Sequence, residues 1–195
     1  RSTLFPYTTL FRSRSTPCNP ERYPIVADLN GDGAKEIILF DPQLGIYVFD
    51  ASYTLVWSYG LAGIEEVAVG DINQDGPKEI VAAMVNMMPE SEYELLCLAH
   101  TGQLLWRQEV PVQDTSKMDY VCALVLGDFN GSGGLEIMAG NAWNGLAMYD
   151  GQTGEEIWSV DYSLFGSLAA ADVLGDGRAD LIARSWDSGA LICFA

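Results

Sequence analysis

The sequence predicts an all-β fold built from repeated four-stranded units. Three observations lead there: one motif that recurs four times, a spacing near 44 residues between copies, and no sustained helical periodicity. The copies are ADLNGDGAKEIILF at Ala27 to Phe40, GDINQDGPKEIVAAM at Gly70 to Met84, GDFNGSGGLEIMAG at Gly127 to Gly140, and ADVLGDGRADLIA at Ala171 to Ala183. Their leading aspartates, Asp28, Asp71, Asp128 and Asp172, stand 43, 57 and 44 residues apart. Four strands of about five or six residues plus their turns fill such a period.

Each unit opens on a short apolar strand, runs through an acidic loop, and enters a second strand such as EIILF or EIVAAM. A connection then leads to the second half. GIYVFDASYTLVW ends at Trp57, ELLCLAHTGQLLW at Trp106 and LAMYDGQTGEEIW at Trp158. Each of these reads as a strand, a turn carrying Asp, Gly or Ser, and a strand closing on Trp. The fourth unit begins this half at Gly189 and stops before its Trp position. Runs such as VAVG, EIVAAM and ALVLG are almost continuously apolar, as expected of sheets covered on both faces by neighbours. A four-stranded unit cannot cover both faces alone, so the expected architecture is radial repetition, a β-propeller. Blades are expected over about 24–60, 64–110, 119–162 and 166–195, the last incomplete, within a repeat region of 17–195. An arc of four leaves two apolar end faces, so the expectation is a portion of a larger propeller whose remaining blades cover them.

Residues 1 to 13, RSTLFPYTTLFRS, do not share this grammar and resemble translated sequencing-adapter sequence. Residues 1–16 are therefore set aside as a non-native or disordered segment. The 195 residues carry 27 acidic against 10 basic side chains, a formal charge of -17. Such a field repels phosphate backbones and anionic lipid and attracts cations, which argues against nucleic-acid partners and membrane surfaces. No apolar run approaches the length of a membrane helix, so no membrane insertion is expected. Cys18, Cys97, Cys122 and Cys193 form no CxxC pair, and His100 is the lone histidine, which removes zinc sites of the usual spacing. Cys97, Cys122 and Cys193 sit in apolar runs and are expected to be buried free thiols.

The loops carry the chemistry. Their spacing is D-x-N-x-D-G-x-x-E, in which side-chain oxygens at positions 1, 3, 5 and 9 and the carbonyl at position 7 can surround one point. An all-oxygen set of this kind suits Ca²⁺. The first loop offers Asp28, Asn30, Asp32 and Glu36 with the carbonyl of Ala34; the second offers Asp71, Asn73, Asp75 and Glu79 with that of Pro77. The third has Asp128, Asn130, Ser132 and Glu136 with Gly134, and so lacks one carboxylate. The fourth keeps Asp172, Asp176 and Asp180 but has Leu174 where an oxygen is needed. Affinity is expected to fall in that order. An EF-hand would need its bidentate Glu at position 12 and flanking helices. A set of metal-free Asx turns is the other reading. Carboxylates crowded together without a cation repel one another, so metal-free loops are expected to be loose.

On these residues the chain resembles calcium-binding repeats of the FG-GAP and VCBS type, as in the integrin α-chain propeller. The resemblance covers about residues 24 to 195. The strand halves ending in Trp resemble those of quinoprotein-type propellers. The resemblance implies a seven- or eight-bladed propeller, usually extracellular, with Ca²⁺ held between the first and second strands of its blades. Glu stands at position 9 in three loops where Asp is commoner, and the FG-GAP dipeptides are absent.

If strands alternate in direction, the acidic loops and the turns before each Trp share one face of the disc. Two insertions, Asn86 to Tyr93 and Pro111 to Asp119, then fall on the other, where long loops on a rigid scaffold usually carry function. Trp143 and Trp186, with Asn141, Asn144 and Asp187, form a candidate platform there for a carbohydrate or protein ligand. Packing of those tryptophans between blades is the competing reading. No GxSxG, P-loop or HExxH motif occurs. The function expected is a calcium-stabilised binding or adhesion scaffold, extracellular, at the cell surface or in the periplasm, without catalysis of its own. The alternative is the propeller portion of a polysaccharide lyase or hydrolase.

Overall fold

The computed structural model describes residues 23–86, 92–110, 123–141, 145–160, 168–184 and 188–194. These contain fifteen strands and no helix. The first sheet is β1 (Ile25–Ala27), β2 (Glu36–Asp41), β3 (Gly45–Phe49) and β4 (Leu55–Tyr59). The second is β5 (Ile64–Gly70), β6 (Glu79–Asn86), β7 (Glu92–Leu98) and β8 (Leu104–Val110). The third is β9 (Ala123–Gly127), β10 (Glu136–Asn141), β11 (Gly145–Tyr149) and β12 (Glu156–Val160). The fourth has three described strands, β13 (Ala169–Ala171), β14 (Asp180–Arg184) and β15 (Leu191–Phe194). Every sheet is a simple antiparallel meander in chain order. These are the blades of a β-propeller arc.

Alternation along the strands explains the stacking. In β6 the side chains of Ile80, Ala82 and Met84 join Ile38, Phe40, Ile46 and Val48 of the first blade in one core. Val81 and Ala83, one residue out of phase, join Ile137, Ala139 and Tyr149 of the third blade in a second core. Met138, Leu146 and Met148 then meet Leu181 and Ala183 of the fourth. A period of two thus feeds two different neighbours from one strand. This is why the inner strands read as unbroken apolar runs rather than alternating ones.

The first strands converge: β5 lies beside β9, and β9 beside β13. The outer hairpins repeat one irregularity, a register shift between Val48 and Phe49, Cys97 and Leu98, and Met148 and Tyr149. Tryptophans link the blades. The Trp57 indole N–H donates to the His100 carbonyl of the next blade at 2.8 Å, and Trp106 donates to that of Gly151 at 3.0 Å.

Of the expected buried thiols, Cys97 is buried, and burial pushes its thiol up to about 12. Cys193 corrects the expectation: it is exposed. It lies on β15, whose one partner strand among the described residues is β14, so its apolar setting in sequence is not matched by cover in space. Cys18 and Cys122 lie outside the described residues.

Candidate metal centre

The four acidic loops join the first and second strands of their blades and stand side by side. Lys78 N–H of the second loop donates to the Leu29 carbonyl of the first at 2.7 Å, and Ala179 N–H of the fourth donates to the Asp128 carbonyl of the third at 2.8 Å. Each loop is folded by its own acids. Asp28 accepts the amides of Gly31 at 2.8 Å and Gly33 at 3.0 Å through its two oxygens. Asn30 accepts from Asp32 at 2.9 Å, and Asp32 from Ala34 at 2.7 Å, so each polar side chain closes an Asx turn with the residue two further on. The second loop repeats the scheme: Asp71 accepts the amides of Asp75 and Gly76, both at 3.1 Å, and Asn73 that of Asp75 at 2.9 Å.

In the third loop, Asn130 accepts from Ser132 at 2.6 Å and Ser132 Oγ from Gly134 at 3.2 Å. In the fourth, Asp172 accepts from Gly175, Asp176 and Gly177, and Asp176 accepts from Arg178. Leu174 is exposed there and contributes only its amide, which donates to Asp180 at 3.0 Å.

The ninth position behaves differently from the others. Glu36, Glu79, Glu136 and Asp180 are all buried, and each accepts the amide of the residue after the leading aspartate: Leu29 at 2.8 Å, Ile72 at 2.9 Å, Phe129 at 2.9 Å and Val173 at 2.8 Å. Burial raises the carboxyls of Glu79 and Glu136 above the usual range. Neighbouring carboxylates push the same way, Asp75 and Asp71 on Glu79, and Asp128 and Asp150 on Glu136.

Sequence reasoning missed the fourth position of each loop. Gly31, Gly131 and Gly175 are left-handed there, and Gln74, with φ 61°, fills that place in the second loop. The glycine recurs at that place in three of the four loops, which is the signal in the sequence that marks a left-handed position.

Among the described residues no three Asp, Glu, Cys or His side chains converge closely enough to hold an ion. The donor set itself consists of hard oxygens, as Ca²⁺ prefers. One atom stands out: Asp128 Oδ1 is shut off from solvent with no hydrogen-bond partner, while Oδ2 of the same carboxylate accepts from Gly133 at 2.9 Å. The side chain of Arg178 from the fourth blade lies over Gly131 of this loop.

The acidic loop and the turn before the outer strand do share one face. A cleft of about 680 Å³ there is lined by Asn30, Asp32, Asp50, Ser52 and Trp57 together with His100 and Thr101 of the next blade. Of the proposed ligand platform, Asn141 ends β10 opposite Gly145. Trp143, Asn144, Trp186 and Asp187 lie outside the described residues.

No protein-family model and no curated protein matches the chain. Solved structures do. BBS1N, in its complex with ARL6DN, is 11% identical with a TM-score of 0.60, covering 92% of this chain and 56% of that one. The V. cholerae biofilm matrix protein Bap1 is 24% identical with a TM-score of 0.53, over 86% of this chain and 29% of its own. BamB from Moraxella catarrhalis is 15% identical with a TM-score of 0.50, over 87% and 41%. The chain thus spans less than two thirds of each. Bap1 and BamB are propeller proteins, and the class these likenesses define is the β-propeller.

Proposed function

We propose that this chain is the calcium-stabilised part of a propeller scaffold for binding or adhesion, working outside the cytoplasm and without catalysis of its own. Asp28, Asn30 and Asp32 would hold the ion in the first loop, Asp71, Asn73 and Asp75 in the second, and Asp128, Asn130 and Ser132 in the third. The carbonyls of Ala34, Pro77 and Gly134 would complete these sets. Asp172 and Asp176 make the weakest set. The position-nine acids hold the loop amides, so their part is to shape each cradle. The ion supplies positive charge and pins a loop that leads into a core strand.

The observation that carries the metal reading is Asp128 Oδ1. A carboxylate oxygen buried without a donor costs on the order of 1–3 kcal/mol, and a hard cation is the simplest group that would remove that cost. Neutral Asn or Ser at the third and fifth positions lowers the ligand charge, which favours the weak affinities of extracellular calcium modules. The likeness to a biofilm matrix protein is in keeping with that placement. Carbohydrate or protein ligands would be taken on the disc faces, and the remaining blades would cover the end sheets.

Thermal melts test the metal. Calcium at about 100 times its dissociation constant adds about 2.7 kcal/mol to the folded state for each site filled, so Tm should rise with calcium and fall in EDTA. Asp28→Ala with Asp71→Ala should remove most of that response, and Asp128→Ala the remainder. An identical melt in calcium and in EDTA would refute the reading.

A further inference from the structure

The two tryptophan links between blades share one steric requirement. The Trp57 ring lies against Gly102, where an added Cβ would come within 2.8 Å of a ring carbon, and the Trp106 ring lies against Gly154, where it would come within 2.7 Å. Contacts that close do not occur at real Cβ atoms, so the residue facing the indole has to be glycine. Both glycines stand four residues before the Trp of their own blade, and both are left-handed, with φ 83° and 74°. In the first blade the same place is taken by Tyr53, also left-handed at φ 63° and 43% exposed. The turn keeps its shape and loses the space.

This turn borders an apolar sheet face. Val26, 59% exposed between Ile25 and Ala27 of the shared core, faces away from the second blade, with Ile37, Leu39 and Tyr47 half-buried on the same face. The inner blades cover the equivalent face with another sheet. Continuity with those interfaces makes another sheet the fitting cover here as well.

We propose that Tyr53 makes the outward face of the first blade specific for a neighbouring sheet that brings no tryptophan to this turn, unlike the outer strands β4, β8 and β12. The first blade is then a distinct position in the ring, not an interchangeable repeat. This selection is steric and independent of calcium.

The test extends the full chain at its N-terminus with a second copy of residues 64–110 through a flexible linker. On the parent, the added copy should stay undocked, with its tryptophan open to acrylamide quenching and the urea midpoint unchanged. With Tyr53→Gly, the added tryptophan should become shielded and the midpoint should rise. On the parent, an added copy carrying Trp106→Ala should dock better than one that keeps the indole. Equal docking of the tryptophan-bearing copy on the parent and on Tyr53→Gly would overturn the proposal, and so would failure to dock on both. In the unextended chain, Gly102→Tyr should raise tryptophan quenching; no change would remove the steric premise.

Discussion

At the scale of single residues, the acid at the ninth position of each loop does work that its spacing alone does not reveal. Glu79 is 2% exposed, accepts the Ile72 amide, and sits near Asp71 and Asp75. Its carboxyl is raised mainly because burial disfavours the charged form. The sign of the pH effect follows. Between the ordinary value of 4.5 and the raised one, the folded chain holds more protons than the unfolded chain, so the stability due to this group is present at the acid end and lost as pH rises. A neutral amide has no such loss. The stability of the parent relative to Glu79→Gln should therefore fall as pH is raised from about 4.5 towards neutrality in EDTA. Paired urea titrations across that range check it; a relative stability that rises with pH would contradict the assignment. Glu79→Ala is the harsher change, because the Ile72 amide loses its acceptor, a cost of about 1–3 kcal/mol.

At the scale of elements, the outer strand and the next blade's turn form one unit across two sheets. Gly154→Ala places a Cβ against the Trp106 ring at a positive φ, so it should cost more than a surface glycine replacement, about 2 kcal/mol or above, with a red-shifted emission as the indole loosens. Trp106→Ala should cost about 3–5 kcal/mol by urea denaturation, since a large packed side chain and its bond to the Gly151 carbonyl both go. The strands were legible in the sequence because β6 alternates between two apolar neighbours and because β4, β8 and β12 each carry a Trp, although each strand runs at least two residues beyond the Trp on which the sequence was expected to end it. The loops were legible as acidic hairpin bends with the right oxygens. Which way each acid turns was not legible: Glu36 and Asp32 are the same chemistry on paper, and only the closing of β1 on β2 buries one and leaves the other at the surface. Cys193 was misread for the opposite reason, since an apolar run predicts burial only where a neighbouring sheet exists to provide it. The glycine opposite each indole had no meaning until the blades were stacked.

At the scale of the whole molecule, stacked sheets should lose protection in order of how many neighbours they have. Each blade contacts only the blades beside it, so stability is approximately a sum of unit and interface contributions. The second blade is covered on both faces: in β6, Ile80, Val81, Ala82 and Ala83 are all at most 1% exposed. The fourth is covered on one, with Ala169 and Ala171 exposed and Leu191 at 79%. Local opening therefore costs least in β13 to β15 and most in β6 and β7. Native-state hydrogen exchange followed by mass spectrometry should show the amides of residues 80–85, 93–98 and 137–140 exchanging last, and those of 37–40, 181–184 and 191–194 well before them. Uniform protection across all four sheets would mean that the arc unfolds as one cooperative block, and the interface terms would then have to exceed the stability of any single sheet.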